Sequence, residues 1–238
     1  MKFNDPFVVY AHRGASEYAP ENTMSAFYLG VSQGANGIET DIRRTKDGVL
    51  VLFHDRDLTR VAGREGGVGD YTYAELLSMR VRNNATNTED VIVRFEDFLR
   101  YFSFRDLHFA IELKEQGTEQ ETLAMLSAFG MLGKTVVTSF RFCCIETVKR
   151  LCPSCKVGYL VPLADSNCLS ELSRIGGEQV CPQAEHLTPD QVTDLHSRGY
   201  NVRAWGCSTI PLMRHALACG VDGMTVNFPD RLVKELGR

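Results

Sequence analysis

At 238 residues, with 44% hydrophobic and 24% charged residues, the chain has the size of one α/β barrel, which runs to roughly 250 residues, and the composition of an ordinary globular protein. A net charge of −4 speaks against nucleic acid or an anionic membrane surface as partner, so any phosphate that binds must meet locally placed cations. No run approaches the ~20 apolar residues that span a bilayer, no stable membrane anchor is expected, and Met1–Asp5 with the short run Phe7 to Tyr10 does not make a signal-peptide core.

Short apolar runs alternate with helical patterns from end to end, the rhythm of βα repeats around a parallel sheet. The first strand, Phe7 to Ala11, runs into His12-Arg13-Gly14. A His at a strand end can act as acid or base, Arg offers a planar fork matched to phosphate oxygens, and Gly lets the backbone approach a ligand closely. A helical pattern over 22–33 follows, stopped by Gly34. The second strand, Gly37 to Ile42, carries Glu39 and Asp41 at i and i+2, hence on one face. Two like charges there repel, and a divalent metal is the natural compensator.

The third run, Val49 to Phe53, comes after only the six residues 43–48, too few for a helical crossover, and Asp47-Gly48 is a tight-turn signal. It should return antiparallel as one arm of a hairpin. Folding about Lys46 to Gly48 then sets His54 opposite Glu39 or Asp41, depending on register. His54-Asp55 ends that arm. With His12 it gives two imidazoles flanking the carboxylates, one to take a proton and one to give it.

From about 56 to 107 the rhythm breaks. Glycine-rich Gly63 to Gly69 precedes two short helical patterns, Thr72 to Met79 and Phe95 to Phe102, around the polar Arg82 to Asp90. This reads as a small lobe inserted between barrel strands two and three. Strand three, His108 to Leu113, carries Glu112, followed by Lys114. Three carboxylates without a Cys ligand suit a hard cation, Mg²⁺ or Ca²⁺, with Lys114 beside them for a phosphate.

The remaining strands are Thr135 to Ser139, Val157 to Val161, Gln179 to Pro182, Val202 to Trp205 and Gly223 to Val226, alternating with helical patterns near 118–130, 141–151, 165–175, 188–198, 208–219 and 229–236. Pro189 and Pro229 sit where helices start, and Gly199 where one ends. Setting aside the hairpin arm leaves eight strands. The expected fold is therefore an α/β (β/α)₈ TIM barrel, a single domain over 1–238, with a β-hairpin extension after strand 2 and the small inserted lobe before strand 3. Active sites of such barrels lie at the C-terminal strand ends, where the residues singled out converge. Trp205, the one tryptophan, ends the seventh barrel strand. His108, His186, His196 and His215 read as surface residues. The eight cysteines fall mostly in strand- or helix-like stretches, and Cys152-Pro-Ser-Cys155 has no partner pair, so reduced thiols and a cytoplasmic location are expected.

The ordered motifs His12-Arg13-Gly14-Ala15, Pro20-Glu21-Asn22-Thr23, Ala26-Phe27, Gly34-Ala35, Ile38-Glu39-Thr40-Asp41, Thr45-Lys46-Asp47-Gly48, Phe53-His54-Asp55 and Leu58-Thr59-Arg60 resemble the opening signature of glycerophosphodiester phosphodiesterases. Weaker similarity continues through Glu75-Leu76, Glu112-Leu113-Lys114, Ser139-Phe140, Trp205 and Asp222-Gly223, over nearly the whole chain. The resemblance implies hydrolysis of a small-molecule glycerophosphodiester to sn-glycerol 3-phosphate and an alcohol, within glycerol and lipid metabolism. It implies His12 and His54 as the acid–base pair, and Glu39, Asp41 and Glu112 as ligands of Mg²⁺ or Ca²⁺. Arg13 and Lys114 would meet the phosphate and Asn22 would help shape the site. Trp205, read from its place at a strand end rather than from the resemblance, would pack on the glycerol carbons or serve as a core residue of the barrel rim. The chain departs from the pattern at 91–96, at Gly206-Cys207 and at Asn227, positions that bear on substrate range more than on chemistry. A lysophospholipase D acting on a lipid is the alternative enzyme, and a silent phospho-polyol-binding module the alternative outside catalysis.

Overall fold

The computed structural model describes residues 7–238; the reading of Met1–Asp5 as free of a targeting signal lies outside them. In chain order the strands are β1 (Val8–His12), β2 (Gly37–Arg44), β3 (Leu50–Leu52), β4 (Val81–Asn83), β5 (Thr88–Asp90), β6 (His108–Leu113), β7 (Thr135–Ser139), β8 (Lys156–Val161), β9 (Gln179–Pro182), β10 (Asn201–Ala204) and β11 (Gly223–Val226). Eight of them pair in parallel around a closed ring, β1-β2-β6-β7-β8-β9-β10-β11 and back to β1. The helices lie outside this ring, two short ones among them in the inserted lobe. They are α1 (Met24–Ser32), α2 (Thr59–Ala62), α3 (Tyr73–Leu76), α4 (Phe95–Phe102), α5 (Glu119–Ala128), α6 (Phe142–Leu151), α7 (Ser166–Arg174), α8 (Pro189–Ser197), α9 (Ile210–Cys219) and α10 (Pro229–Glu235). This is the expected (β/α)₈ barrel.

Local chemistry explains the boundaries. Barrel strands are covered on both faces, so they read as continuous apolar runs rather than alternating ones; β2 is buried from Gly37 to Arg43. Helix starts are capped by side chains: Thr23 accepts from the Ala26 amide, Asp165 from Cys168, and Thr188 and Gln191 cap α8 reciprocally behind Pro189. Each cap satisfies amides that would otherwise lack partners in the first turn.

The hairpin forms as expected, with β3 antiparallel to β2. Its register differs by one residue from either expected alternative. Ile42 faces Leu52, and the Phe53 amide donates to the Asp41 carbonyl at 3.1 Å. His54 therefore falls level with Thr40, not with Glu39 or Asp41. The turn itself is the expected Lys46 to Gly48, closed by Thr45 and Val49; a three-residue turn centred on Asp47 puts residue 54 opposite residue 40.

The inserted lobe has an apolar cluster of its own, built on Val51, Phe53, Leu58, Val61, Leu76 and Ile92. The hairpin arm that carries His54 is thus shared between barrel and lobe. Within the lobe, the polar stretch near 82–90 forms an antiparallel ribbon, β4–β5, that no apolar alternation announced. Asn83 on that ribbon donates to the Ser16 and Ala19 carbonyls at 3.0 and 3.2 Å, tying the lobe back to the first barrel loop. All eight cysteines are free. Among the described residues no helix is long and apolar enough to cross a membrane.

Candidate active site

Parallel pairing sets the key side chains level with one another. His12 of β1 lies beside Glu39 of β2, and Asp41 of β2 beside Glu112 of β6. Glu39, Asp41 and Glu112 are all buried, with carboxylate oxygens within 4.8 Å of one another. Lys114, just past β6, sits 2.6 Å from Glu112 and 3.6 Å from Asp41. Arg13 lies on the other side, its Nε 3.4 Å from Asp41 and its Nη1 donating to Glu21 at 3.0 Å.

Both imidazoles are oriented by an oxygen acceptor. His54 Nδ1 is 2.7 Å from Asp55 Oδ1. A carboxylate only accepts, so this nitrogen carries the proton and Nε2 is left free. His12 Nδ1 is 2.6 Å from Asn227 Oδ1, and its Nε2 lies 3.9 Å from Glu39. Arg43 clamps the main chain of His54, with Nε and Nη2 donating to its carbonyl at 3.0 and 2.8 Å.

The electrostatics follow from this crowding. Burial, then Asp41 and Glu112, pushes Glu39 well above the usual carboxylate range. Burial and Asp41 do the same to Glu112. Asp41 goes the other way: burial alone would raise it, but Arg13, Lys114 and His54 hold it below its ordinary value. Two of three neighbouring carboxyls resist ionisation because their mutual repulsion exceeds what Arg13 and Lys114 offset, and a cation between them would favour the ionised forms. Asp41 Oδ1 is also buried without a hydrogen bond, with only the Lys114 ammonium 3.6 Å away to offset its charge, so it has lone pairs left to give. Donor set and orphaned oxygen together fit a hard divalent ion.

A cavity of about 260 Å³ opens above the cluster. His12, His54, Glu39 and Glu112 form its polar side, and Phe140, Leu160 and Trp205 its apolar side. Trp205 is fixed by a bond from Nε1 to the Val161 carbonyl at 3.1 Å and by edge-to-face packing on Phe140, with centroids 5.1 Å apart. A smaller cavity, about 50 Å³, lies at the opposite end of the barrel, away from these groups.

All nine residues singled out from sequence thus gather at one rim. Asn22 does so from behind: it is buried, donates to Asp41 at 2.9 Å and accepts from Thr40 at 2.7 Å. Any effect it has on a ligand passes through Asp41. Asn22 and Arg13 both hold left-handed backbone, at φ +57 and +55, strain of the kind that collects at functional sites. Sequence reasoning missed Arg203, buried below the cavity, where it donates to Gln179 and Thr225 at 3.1 and 2.7 Å. A lone Arg inside an apolar β run was the available signal. It also missed Glu21 and Arg60 as ion-pair partners.

Gly14 has a structural reason beyond approach to a ligand. It sits at φ +82, and a methyl there would overlap the Ala26 backbone of α1. Gly14→Ala should therefore destabilise by about 1–2 kcal/mol from the left-handed backbone and about 1–3 kcal/mol more from overpacking, measured by urea unfolding.

A family model described as the glycerophosphoryl diester phosphodiesterase family matches residues 12–231. The chain is 30% identical over 240 residues to a glycerophosphodiester phosphodiesterase of Bacillus altitudinis, covering 95% of this chain and 96% of that protein. It is 27% identical over 233 residues to one from Caldanaerobacter subterraneus subsp. tengcongensis, covering 95% and 96%. Among solved structures, a phosphodiesterase from Oleispira antarctica in complex with the product sn-glycerol-3-phosphate superposes with a TM-score of 0.85 at 25% identity, covering 97% of each chain.

Proposed function

Since the chain belongs to the glycerophosphoryl diester phosphodiesterase family, we propose that it hydrolyses glycerophosphodiesters, glycerophosphocholine and glycerophosphoethanolamine among them, to sn-glycerol 3-phosphate and an alcohol, by acid–base catalysis with a divalent cation. The observation that carries this reading is the meeting of two imidazoles with three buried carboxylates at one cavity. Glu39, Asp41 and Glu112 would hold the cation, Mg²⁺ or Ca²⁺, which when bound neutralises the diester and polarises a phosphoryl oxygen.

The chain's own residues do the rest. His12 and His54 both turn Nε2 toward the cavity. One ring, neutral, takes the proton of the attacking hydroxyl at Nε2, while the other, entering the reaction protonated on both nitrogens, gives its Nε2 proton to the departing alkoxide. Asp55 and Asn227 keep those nitrogens aimed. Arg13 and Lys114 have N–H donors beyond those given to Glu21 and Glu112, and these meet phosphate oxygens. Trp205 packs on the glycerol carbons. Barrel and lobe act as one domain in this reading, and the eight free thiols suit the reducing cytoplasm.

The test is glycerol 3-phosphate release from glycerophosphocholine by purified protein, with EDTA and then with Mg²⁺ or Ca²⁺ restored. Release that stops with chelator and returns with metal is expected. Release untouched by chelator would overturn the metal assignment. A lysophospholipase D is the second reading, favoured by one observation: Phe140 and Leu163, on the loops that follow β7 and β8, are 43% and 49% exposed and offer apolar footing to an acyl chain. Faster turnover of lysophosphatidylcholine than of glycerophosphocholine would select it.

A further inference from the structure

The Leu58-Thr59-Arg60 segment has no part in the chemistry above, yet Arg60 stands between two of its charged residues. Its Nε donates to Asp55 Oδ2 at 2.6 Å. Its Nη1 and Nη2 grip both oxygens of Glu21 at 2.8 and 2.6 Å. Each of those carboxylates spends an oxygen on a residue of the site: Asp55 Oδ1 on His54 Nδ1, and Glu21 Oε1 on Arg13 Nη1. The result is one continuous chain of contacts, His54–Asp55–Arg60–Glu21–Arg13–Asp41.

We propose that Arg60 is a positioning residue, which fixes the ring of His54 through Asp55 and the fork of Arg13 through Glu21, and so sets the geometry of both across the cavity. The inference rests on the acid–base role given to His54 above. Its side chain is 49% exposed, so bulk charge is not its contribution; exposed ion pairs are weak. Its contribution is shape. A planar fork with three occupied donors fixes distances that a point charge does not. Removing it leaves Glu21 and Asp55 repelling each other, and each carboxylate free to rotate away from the residue it aims.

The location of Arg60 adds weight. It lies in α2, beside Leu58 and Val61, which belong to the lobe's own apolar cluster. Arg43 already holds the main chain of His54, so what Arg60 governs is the imidazole ring. The lobe thus gains a function: it carries the clasp that registers the hairpin arm against the first barrel loop.

Arg60→Ala is expected to lower kcat about 10–10²-fold, as for other groups that orient a reacting residue, with a smaller change in KM and an unchanged cation requirement. Millimolar guanidinium should restore much of that loss. Methylammonium, which has the charge without the fork, should not, and Arg60→Lys should stay impaired. A structural role predicts no rescue by either ion. The second readout needs no substrate: long-range ¹H–¹⁵N NMR of the imidazoles. Wild type should show His54 fixed with its proton on Nδ1, and Arg60→Ala a mixture of both tautomers. Unchanged kcat, loss without guanidinium rescue, or an unaltered His54 tautomer would each overturn the proposal. If wild type released no glycerol 3-phosphate, the functional reading would fail while the NMR result still judged Arg60.

Discussion

His12→Ala should lower kcat/KM for glycerophosphocholine by about 10²–10⁴-fold, the usual contribution of a positioned acid or base. Thermal stability should stay close to wild type. The ring is 30% exposed and has one hydrogen bond, to Asn227, so truncation leaves no large apolar void and water can fill the space. Steady-state release of glycerol 3-phosphate, read beside a thermal melt, separates chemistry from folding. Near-normal turnover in a folded variant would sink the assignment. His54→Ala should lose a similar factor, and the double variant little more than either alone, because residues that act as a unit are not additive.

Glu39→Gln should abolish metal-supported turnover while leaving the metal-free protein as stable as wild type or more so. Glu39 is held above its ordinary range by burial and by its two acidic neighbours. An amide of the same shape removes that repulsion. The cost shows only with the cation present. Wild type, at a cation concentration of 100 Kd, gains about 2.7 kcal/mol, which for a chain of this size is roughly 2–4 °C per kcal/mol. Glu39→Gln should lose most of that shift, as differential scanning calorimetry with EDTA and with Mg²⁺ or Ca²⁺ can measure. An undiminished shift would remove Glu39 from the ligand set.

The sign of the pH dependence follows from the same groups. Folded Glu39 and Glu112 retain protons that the unfolded chain has already released, which lowers stability as pH rises. Burial holds His12 and His54 below their ordinary value, which raises it. Metal-free wild type should therefore lose stability once pH climbs above the ordinary histidine range, where only the carboxyls still titrate. Asp41, held low by Arg13, Lys114 and His54, acts in the opposite sense. Its contribution is present above its unfolded value and is lost on acidification below it. Glu39→Gln should flatten the decline on the alkaline side and leave the acid limb alone.

Much of this was legible in the chain because barrel strands leave strong marks. The bounds of β6, β7, β9 and β11 fall where the apolar runs put them, and Pro189 and Pro229 open α8 and α10. The residues at strand ends were equally readable, since period-two spacing puts Glu39 and Asp41 on one face. The rest depended on contacts that spacing does not encode. Hairpin register is set by turn geometry, which a run of six residues does not fix. The β4–β5 ribbon is polar and mostly exposed, so it has no apolar alternation to read. Arg60 and Glu21 are 39 residues apart and meet only once the lobe has folded back over the first loop.

The seam between β1 and β11 bears on how the protein comes to life during synthesis. Every proposed ligand and both imidazoles are encoded by residue 114, so a half-made chain emerging from the ribosome already holds the full set of charges. It does not hold them in order. β1 receives its second neighbour only when β11 docks, and the orientation of His12 waits for Asn227, 215 residues later. Pairings this distant in sequence form late, because their loop-closure entropy is met last. Arrival of the final βα unit is therefore the event that completes the proposed site and aims His12 within it.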